Sequence, residues 1–489
     1  MKQLLGILIL TTLLTACSVW QSAPTLAPVA PTAEQPAPRQ QPPQGKPPLP
    51  SLTAPVATTR APLSPAKPIQ PGERLVTFVP SEGIGNIAVQ VSLPQKTRYA
   101  EGAGIVVETQ TFATRGDGLA SNNNFATLGL IHITYLNPGQ LDREIKSDGV
   151  NDYGGEKSIQ ALRDVIRYAA GQIPDRDGRY LVERIAIRPL TNEIGLFAFS
   201  HPGIAAVNVL ALHGKQLQVG YFVGRENPTT DTLTSVEVGY WDDQNRAVLN
   251  PLYQYAKNYS AQQITIDYST IRWDATYRDS QFVGRPYFDL NKNGKRDETD
   301  HLLGSRIPQM FGKRFYSAAL TQALRNNGAL TNANWLADLA TPEEAATMWQ
   351  YRSSPPRYAT LATTTPNLKV MPVFAQHDHV QPAPDKPHIH QAYDGFRRAA
   401  NLWTRLNPDA AYLAWLNPKL GATFAEHAAN TEPSNWADAE RWAYPDLPGA
   451  AVLATMAAIA EMADRLHYNR WDANLDKPLA ECPTPQLKP

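Results

Sequence analysis

The chain has 489 residues, among them 42 prolines, 10 tryptophans and 2 cysteines, and 43% of its residues are hydrophobic. It is too long for one compact domain of ordinary size, and its apolar content excludes a wholly disordered protein. The 45 basic and 45 acidic residues cancel to a formal net charge of zero. No overall field would therefore attract nucleic acid or an anionic bilayer, and we predict no nucleic-acid partner.

Residues 1–17 have the features of a secretion signal. Lys2 precedes an apolar run over residues 4–14 that is too short to span a bilayer. The run ends in Leu-Thr-Ala-Cys, which resembles a bacterial lipobox and implies lipidation of Cys17. An ordinary signal with a chance cysteine is the alternative. We predict an exported protein held by lipid at a bacterial membrane, inner or outer, with its folded part on the extracytoplasmic side.

A proline-rich linker follows the signal. Residues 18–72 contain about fifteen prolines interspersed with Ala, Gln and Thr, and almost no aromatic residues. Such a segment cannot form a core and favours extended, polyproline-like conformations. We predict a spacer that holds a folded domain, residues 73–470, away from the membrane; residues 471–489 form a C-terminal tail.

The folded part alternates short apolar runs with segments of helical period. Residues 105–109 and 131–136 read as strands, and apolar residues at spacings of three and four predict a helix between Ser158 and Gly171. A strand over 194–199 is followed by a helix over 204–212 and another strand over 217–223. This alternation predicts an α/β fold with a mostly parallel, doubly wound sheet.

Ser200 lies at the turn between the strand and helix just described. Its surroundings read Ala198-Phe199-Ser200-His201-Pro202, with a glycine next in the chain. A tight strand-to-helix turn projects a hydroxyl and places it near the positive end of the helix. A simple helix-capping role for Ser200 is the alternative reading.

The elbow and its context resemble the α/β-hydrolase superfamily, in particular the branch of dienelactone hydrolases and prolyl-oligopeptidase-like enzymes. The family pattern is GxSxG, from which Ala198 and Pro202 depart. The resemblance implies that Ser200 is a nucleophile and that the backbone N–H of His201 belongs to an oxyanion hole. The second donor would come from the loop after the 105–109 strand, where Phe112 is our candidate.

A nucleophilic serine requires a histidine base and a carboxylate, in the family order serine, acid, histidine. Asp378 follows a predicted strand over residues 370–375 and is our predicted acid; a turn or capping role is its alternative. For the base we favour His427 after a predicted last strand, with His388 or His390 at the preceding helix as the alternatives. Glu226 is a rival acid, because it directly follows the 217–223 strand.

About 178 residues separate Ser200 from Asp378, more than the remaining strands and helices need, so we predict an insertion or cap over 229–366. It contains the segment 289–300, Asp-Leu-Asn-Lys-Asn-Gly-Lys-Arg-Asp-Glu-Thr-Asp. Oxygen ligands at positions 1, 3, 5, 9 and 12 with glycine at 6 resemble an EF-hand or dockerin-type loop. The predicted structural Ca²⁺ ligands are Asp289, Asn291, Asn293, the Lys295 carbonyl, Asp297 and Asp300. A polar turn is the alternative.

Four histidines crowd the region of the predicted acid: His377, His379, His388 and His390. Two HxH pairs could instead bind zinc or copper, although no cysteine ligand or HExxH helix supports such a site. We predict no organic cofactor.

The sequence thus predicts a membrane-anchored serine hydrolase of α/β-hydrolase type. Its predicted substrate is a carboxylic ester, with a peptide as the next class. The alternative from another class is an inactive hydrolase-like domain that serves as a surface binding protein.

Overall fold

The computed structural model describes residues 67–480 except 112–117, 122, 231–235, 254–263, 280–281, 306, 426–435 and 472–473. The predicted signal, Cys17 and most of the linker lie outside the described residues, as do Phe112 and His427. No helix in the part of the chain that is described is long and apolar enough to cross a membrane.

The centre of the fold is an eight-stranded sheet. Its strands, labelled in chain order, are β1 Arg74–Ser81, β2 Gly85–Ser92, β3 Ala103–Thr109, β4 Ile131–Tyr135, β5 Pro189–Phe199, β6 Val219–Arg225, β7 Lys369–Val373 and β8 Trp403–Thr404. They lie in the order β1-β2-β4-β3-β5-β6-β7-β8. The pairs β1–β2 and β2–β4 are antiparallel, and the other pairs are parallel. The predicted α/β class with a mostly parallel sheet is confirmed.

Helices cover both faces of this sheet, which explains the nearly continuous apolar runs of its central strands. Every residue of β3 and β4 is buried. The helices Glu156–Ala169, Pro202–His213 and Tyr358–Thr364 pack on one face. The helix Ala450–Tyr468 crosses the other face, against β5, β6 and β7.

The alanine-rich sequence from residue 449, with Glu461 and Asp464 among its apolar residues, predicts an amphipathic helix that closes the domain. In the helix Ala450–Tyr468 both of these acidic side chains are buried instead. Asp464 accepts hydrogen bonds from Arg98 at 2.5 and 2.8 Å, and Glu461 accepts one from Arg465 at 2.7 Å. All four residues are at most 5% exposed. Buried charges persist because each has an opposite charge and hydrogen bonds.

Between β6 and the helix Tyr358–Thr364, the described part of the chain forms small sheets and two α-helices. These elements are the strand pairs Gly239–Trp241 with Ala247–Leu249 and Gln309–Met310 with Lys313–Arg314, the three strands Ile271–Arg278, Val283–Phe288 and His301–Leu302, and the helices Ala318–Asn326 and Pro342–Trp349. Their apolar side chains form a core of their own, which includes Ile271, Phe288, Tyr316 and Leu320.

The segment after β7 is less regular than the sequence indicates. The apolar positions 392, 396, 399 and 400 predict a single helix from about 390 to 402. The structure instead has a helix over Pro387–Asp394 and a π-helical turn over Gly395–Ala399. The remaining short elements are the strands Leu141–Asp142 and Ile145–Lys146, the helices Leu181–Arg184, Ala410–Leu416 and Pro418–Ala425, and the 3-10 turns Phe125–Leu128, Gly214–Gln216, Pro355–Arg357 and Trp436–Trp442.

Candidate active site

Ser200 occupies a strained elbow at the carboxyl end of β5. Its φ is 58°, a left-handed value that non-glycine residues rarely adopt. Its N–H donates to the carbonyl of Arg225 at 2.9 Å, and the Asn227 side chain donates to the Ser200 carbonyl at 2.7 Å. The end of β6 therefore holds the turn in a conformation that is unfavourable by itself.

The glycine that this elbow needs is Gly203, one position later than in GxSxG. A Cβ at Gly203 would lie 2.2 Å from Cγ of Asn227, the residue that holds the elbow. Proline at 202 is tolerated because it is the first residue of the helix Pro202–His213, where its missing N–H removes no helical hydrogen bond. The departure at Pro202 is thus compatible with the turn.

His379 lies beside the serine. Its Nε2 is 3.0 Å from Ser200 Oγ, and its Nδ1 is 2.7 Å from Glu226 Oε2. Glu226 is 5% exposed and directly follows β6, whereas His379 lies in the loop after β7. These strands are adjacent and parallel, so both loops emerge at the edge of the sheet where β5 delivers Ser200.

Glu226 is fixed by its own backbone and by a tyrosine. Its φ is 47°, and its N–H donates to the carbonyl of Val373 at 2.8 Å. The buried Tyr444 hydroxyl donates to Glu226 Oε1 at 2.6 Å. One carboxylate oxygen thus accepts from the phenol while the other faces the imidazole.

The electrostatics of His379 favour its protonated form. Burial alone would lower the pKa of His379, but the hydrogen bond to Glu226 and the charges of Asp378 and Glu226 outweigh burial and raise that pKa above its ordinary value of 6.5. The neighbouring His201 behaves oppositely. Burial, together with Arg352 and His379, lowers the pKa of His201 to about 3, so its imidazole is neutral near pH 7.

Asp378, the predicted acid, has other partners. Its Oδ1 accepts from the N–H groups of Val380 and Gln381, both at 2.9 Å, and its Oδ2 is 3.1 Å from His388 Nε2. The closest approach to His379 Nδ1 is 3.6 Å, beyond a good hydrogen bond. Burial would raise the pKa of Asp378, but His388 holds it below the usual range.

The structure therefore brings together Ser200 and the rival acid Glu226, with a histidine that the sequence assigned only to a metal cluster. The chain order serine, acid, histidine is preserved by Ser200, Glu226 and His379. That order, and the position of Glu226 directly after a buried strand, were the available sequence signals. No sequence signal pointed to Tyr444, because it lies 218 positions from Glu226 in the chain.

The four clustered histidines do not converge on one point. His377 stacks on Trp241, with centroids 4.0 Å apart, and His390 stacks on Trp436, also at 4.0 Å. His388 contacts Asp378 and His379 contacts Ser200. One group among the described residues, Glu226, Asp378 and His379, has ligand-type atoms within 4.8 Å of one another. The hydrogen bonds above account for that proximity without zinc or copper.

The loop 289–300 folds back on itself around its carboxylates. Asp289 is 1% exposed, and its two oxygens accept from the N–H groups of Asn293 at 3.1 Å and Gly294 at 2.9 Å. Asp297 accepts at 2.8 and 2.7 Å from the amides of Asn291 and Asn293. Hydrogen bonds from Thr299 and these amides lower the pKa of Asp297.

The far end of that loop closes on its beginning. Asp300 accepts from the N–H of Leu290 at 3.0 Å and from the N–H of Asp297 at 2.8 Å. Gly294 has a φ of 75°, which suits the sharp turn at the sixth position. The donor set of carboxylate, amide and backbone oxygens fits a hard cation such as Ca²⁺.

No protein-family model matches the sequence, and no curated protein matches it. Several solved structures align with part of this chain. A hyperthermophilic esterase from the archaeon Pyrobaculum calidifontis aligns over 34% of this chain and 46% of its own, with 16% identity and a TM-score of 0.22. Dipeptidyl peptidase 4 of Porphyromonas gingivalis aligns over 68% of this chain and 31% of its own, with 8% identity and a TM-score of 0.32.

An arylesterase aligns over 40% of this chain and 53% of its own, with 13% identity and a TM-score of 0.23. The chain thus spans about half or less of each of these three structures. Its fold class rests on its own strand order and elbow: a mostly parallel, doubly wound sheet of α/β-hydrolase type.

Proposed function

We propose that the protein is a serine hydrolase that cleaves carboxylic esters through Ser200, His379 and Glu226. The single observation that carries the proposal is the continuous hydrogen-bonded row from Ser200 Oγ through His379 to Glu226, with distances of 3.0 and 2.7 Å. A base within hydrogen-bond reach of a nucleophile, itself oriented by a carboxylate, is the arrangement that activates serine.

Each residue has a defined role in this mechanism. His379 Nε2 accepts the proton as Ser200 Oγ attacks the carbonyl carbon, and Glu226 holds Nδ1–H and stabilises the imidazolium. The N–H of His201 would donate to the oxyanion, with Phe112 as the candidate for the second donor. His379 then protonates the leaving alcohol, which leaves the acyl group on Ser200 Oγ. In the second half, His379 takes a proton from water as the water oxygen attacks the acyl carbon; the bond to Ser200 Oγ breaks, Oγ regains the proton and the carboxylic acid leaves. This assignment replaces Asp378 and His427.

A fluorophosphonate probe tests the proposal directly. The purified domain should be labelled at Ser200 and should hydrolyse short-chain aryl esters, whereas Ser200→Ala should do neither. Turnover of peptide but not ester substrates would favour the peptidase alternative. Absence of both labelling and turnover in the wild type would favour the binding-protein alternative.

We further propose that loop 289–300 binds a structural Ca²⁺. Hydrogen bonds link the three carboxylates: Asn293 donates its N–H to Asp289 and its side-chain amide to Asp297, and the N–H of Asp297 donates to Asp300. Asn291, Asn293 and the Lys295 carbonyl complete the candidate ligands. Bound Ca²⁺ would neutralise the carboxylates of Asp289, Asp297 and Asp300. Two asparagines in place of acids lower the affinity, which an extracellular site tolerates.

We also propose export and lipid anchoring at Cys17, with residues 18–72 as the spacer. The support is the lipobox-like segment and the proline-rich composition. In detergent phase separation the full-length protein should partition with detergent, and Cys17→Ser should move to the aqueous phase. Aqueous partitioning of the wild type would contradict the anchor.

A further inference from the structure

The loop that carries His379 is bound on two sides. We call residues 376–386, between β7 and the helix Pro387–Asp394, the His379 segment. Asp378 satisfies N–H groups within the segment, and the Lys386 ammonium donates to the carbonyl of Gln376 at 2.6 Å. These local bonds shape the segment but do not attach it to the rest of the molecule.

The first attachment comes from the insertion, at the end of the strand Gly239–Trp241. The indole N–H of Trp241 donates to the carbonyl of Asp378 at 2.9 Å. The same indole stacks on His377, with centroids 4.0 Å apart and an interplanar angle of 16°. Trp241 thus contacts the two residues immediately before His379. The carbonyl to which it donates belongs to the peptide unit that joins Asp378 to His379.

A second attachment lies on the other side of His379. The hydroxyl of Tyr253, also from the insertion, donates to Asp385 Oδ2 at 2.7 Å. Ala383 is fully buried and belongs to the insertion's own apolar core. Residues of the insertion therefore bind the His379 segment both before and after His379.

We propose that Trp241 is a positioning residue that sets the distance between His379 and Ser200, an inference that rests on the proposed serine hydrolase function. His379 Nε2 lies 3.0 Å from Ser200 Oγ, a normal hydrogen-bond distance. A displacement of about 1 Å in such a contact costs about 100-fold in rate. The insertion therefore restrains the base in addition to the core contacts of the segment, in which the Gln376 N–H donates to the carbonyl of Tyr444 at 3.0 Å and Glu226 lies 2.7 Å from His379 Nδ1.

The test separates the two contacts of the indole. Trp241→Phe keeps a ring for stacking on His377 and removes the hydrogen-bond donor; we expect kcat to fall about 10-fold with KM within about twofold. Trp241→Ala removes both contacts, and kcat should fall about 100-fold. The rate of fluorophosphonate labelling should fall by the same factors, because labelling also requires the base.

Trp335→Phe is the matched control. Trp335 lies in the same insertion and also donates its indole N–H to a backbone carbonyl, that of Leu339, at 3.2 Å. We expect its kcat and labelling rate to equal those of the wild type. Melting curves of all variants show whether each one folds, and Trp241→Phe carries the test if Trp241→Ala does not.

Three results would overturn the inference while leaving the proposed function intact. The first is a kcat of Trp241→Phe equal to that of the wild type. The second is a Trp241→Phe variant in which only KM rises, which would make Trp241 part of the substrate-binding surface. The third is an equal fall of kcat in Trp335→Phe. A wild type that neither hydrolyses esters or peptides nor reacts with the probe would instead overturn the proposed function, and the role of Trp241 with it.

Discussion

The site at Ser200 and the loop 289–300 are built in opposite ways. The loop takes all its candidate ligands from twelve consecutive residues, and its hydrogen bonds are local. The Ser200 site takes its residues from positions 200, 226, 379 and 444, which the ends of β5, β6 and β7 and a distant tyrosine bring together. The comparison teaches that a contiguous motif can be located by its spacing, whereas a dispersed site requires the sheet.

The largest expected loss of activity concerns the nucleophile and the base of the dispersed site. Ser200→Ala and His379→Ala should each lower kcat by about 10⁴-fold or more, because nucleophile and base act as a unit. His427→Ala should stay within a few-fold of the wild type. Ester hydrolysis and active-site labelling measure all three. A severe loss in His427→Ala with a mild one in His379→Ala would return the base to His427.

The next largest effect concerns the two carboxylates near His379, those of Glu226 and Asp378. Glu226→Gln should lower kcat by about 10³-fold, because it removes the charge that stabilises the imidazolium. Asp378→Asn should cost less, since Asp378 lies 3.6 Å from His379 Nδ1 and bonds mainly to His388 and backbone. Steady-state kinetics on one ester substrate compares them. The reverse ranking would identify Asp378 as the acid.

The contiguous loop is tested by stability instead of rate. At a Ca²⁺ concentration of about 100 times Kd, binding to the native state should stabilise the domain by about 2.7 kcal/mol. For a domain of about 400 residues the melting temperature should rise by about 3 °C. Scanning calorimetry with and without chelator measures the shift.

Asp289→Asn should abolish most of that response, while Asp243→Ala, an exposed acid elsewhere in the insertion, should retain it. A wild type whose melting temperature ignores Ca²⁺ would show that the loop is a polar turn. If kcat also stays unchanged under chelation, the loop and the site are energetically separate.

A smaller loss of activity is expected at Tyr444, which donates a hydrogen bond to Glu226. Tyr444→Phe removes the donor to Glu226 Oε1 and leaves a buried carboxylate oxygen underbonded, so kcat/KM should fall about 10-fold, or about 1.4 kcal/mol. Tyr168→Phe is the matched control. Its hydroxyl is buried and makes no hydrogen bond among the described residues. Equal rates for both variants would exclude a role for Tyr444.

The pH dependence is the finest distinction. His379 must be neutral to accept the serine proton, and its pKa is raised, so kcat/KM should increase with pH through a midpoint above 6.5. In Glu226→Gln the main cause of the raised pKa is lost, and the midpoint of the residual activity should move to lower pH. An acidic limb that stays in place would show that Glu226 does not contact the catalytic imidazole.

Much of the fold could be predicted from the sequence. Buried runs and helical spacing located β3, β4, β5 and the helix after Ser200 to within a few residues, because parallel strands covered on both faces are continuously apolar. The predicted last strand is present as β8 but is only two residues long, and the break of the helix at Gly395 was not foreseen. Local patterns give element type better than element ends.

The sequence by itself determined the Ser200 elbow, since a strand, a turn and a helix in succession are local properties, and it determined the spacing of loop 289–300 for the same reason. Only the tertiary structure decided which carboxylate and which histidine meet the serine. Asp378, Glu226 and several histidines all follow strands or begin helices, so the pattern cannot rank them. The pairing of β6 with β7 selects Glu226 and His379, because it sets Arg225 opposite Val373 and thereby brings Glu226 within 2.7 Å of His379.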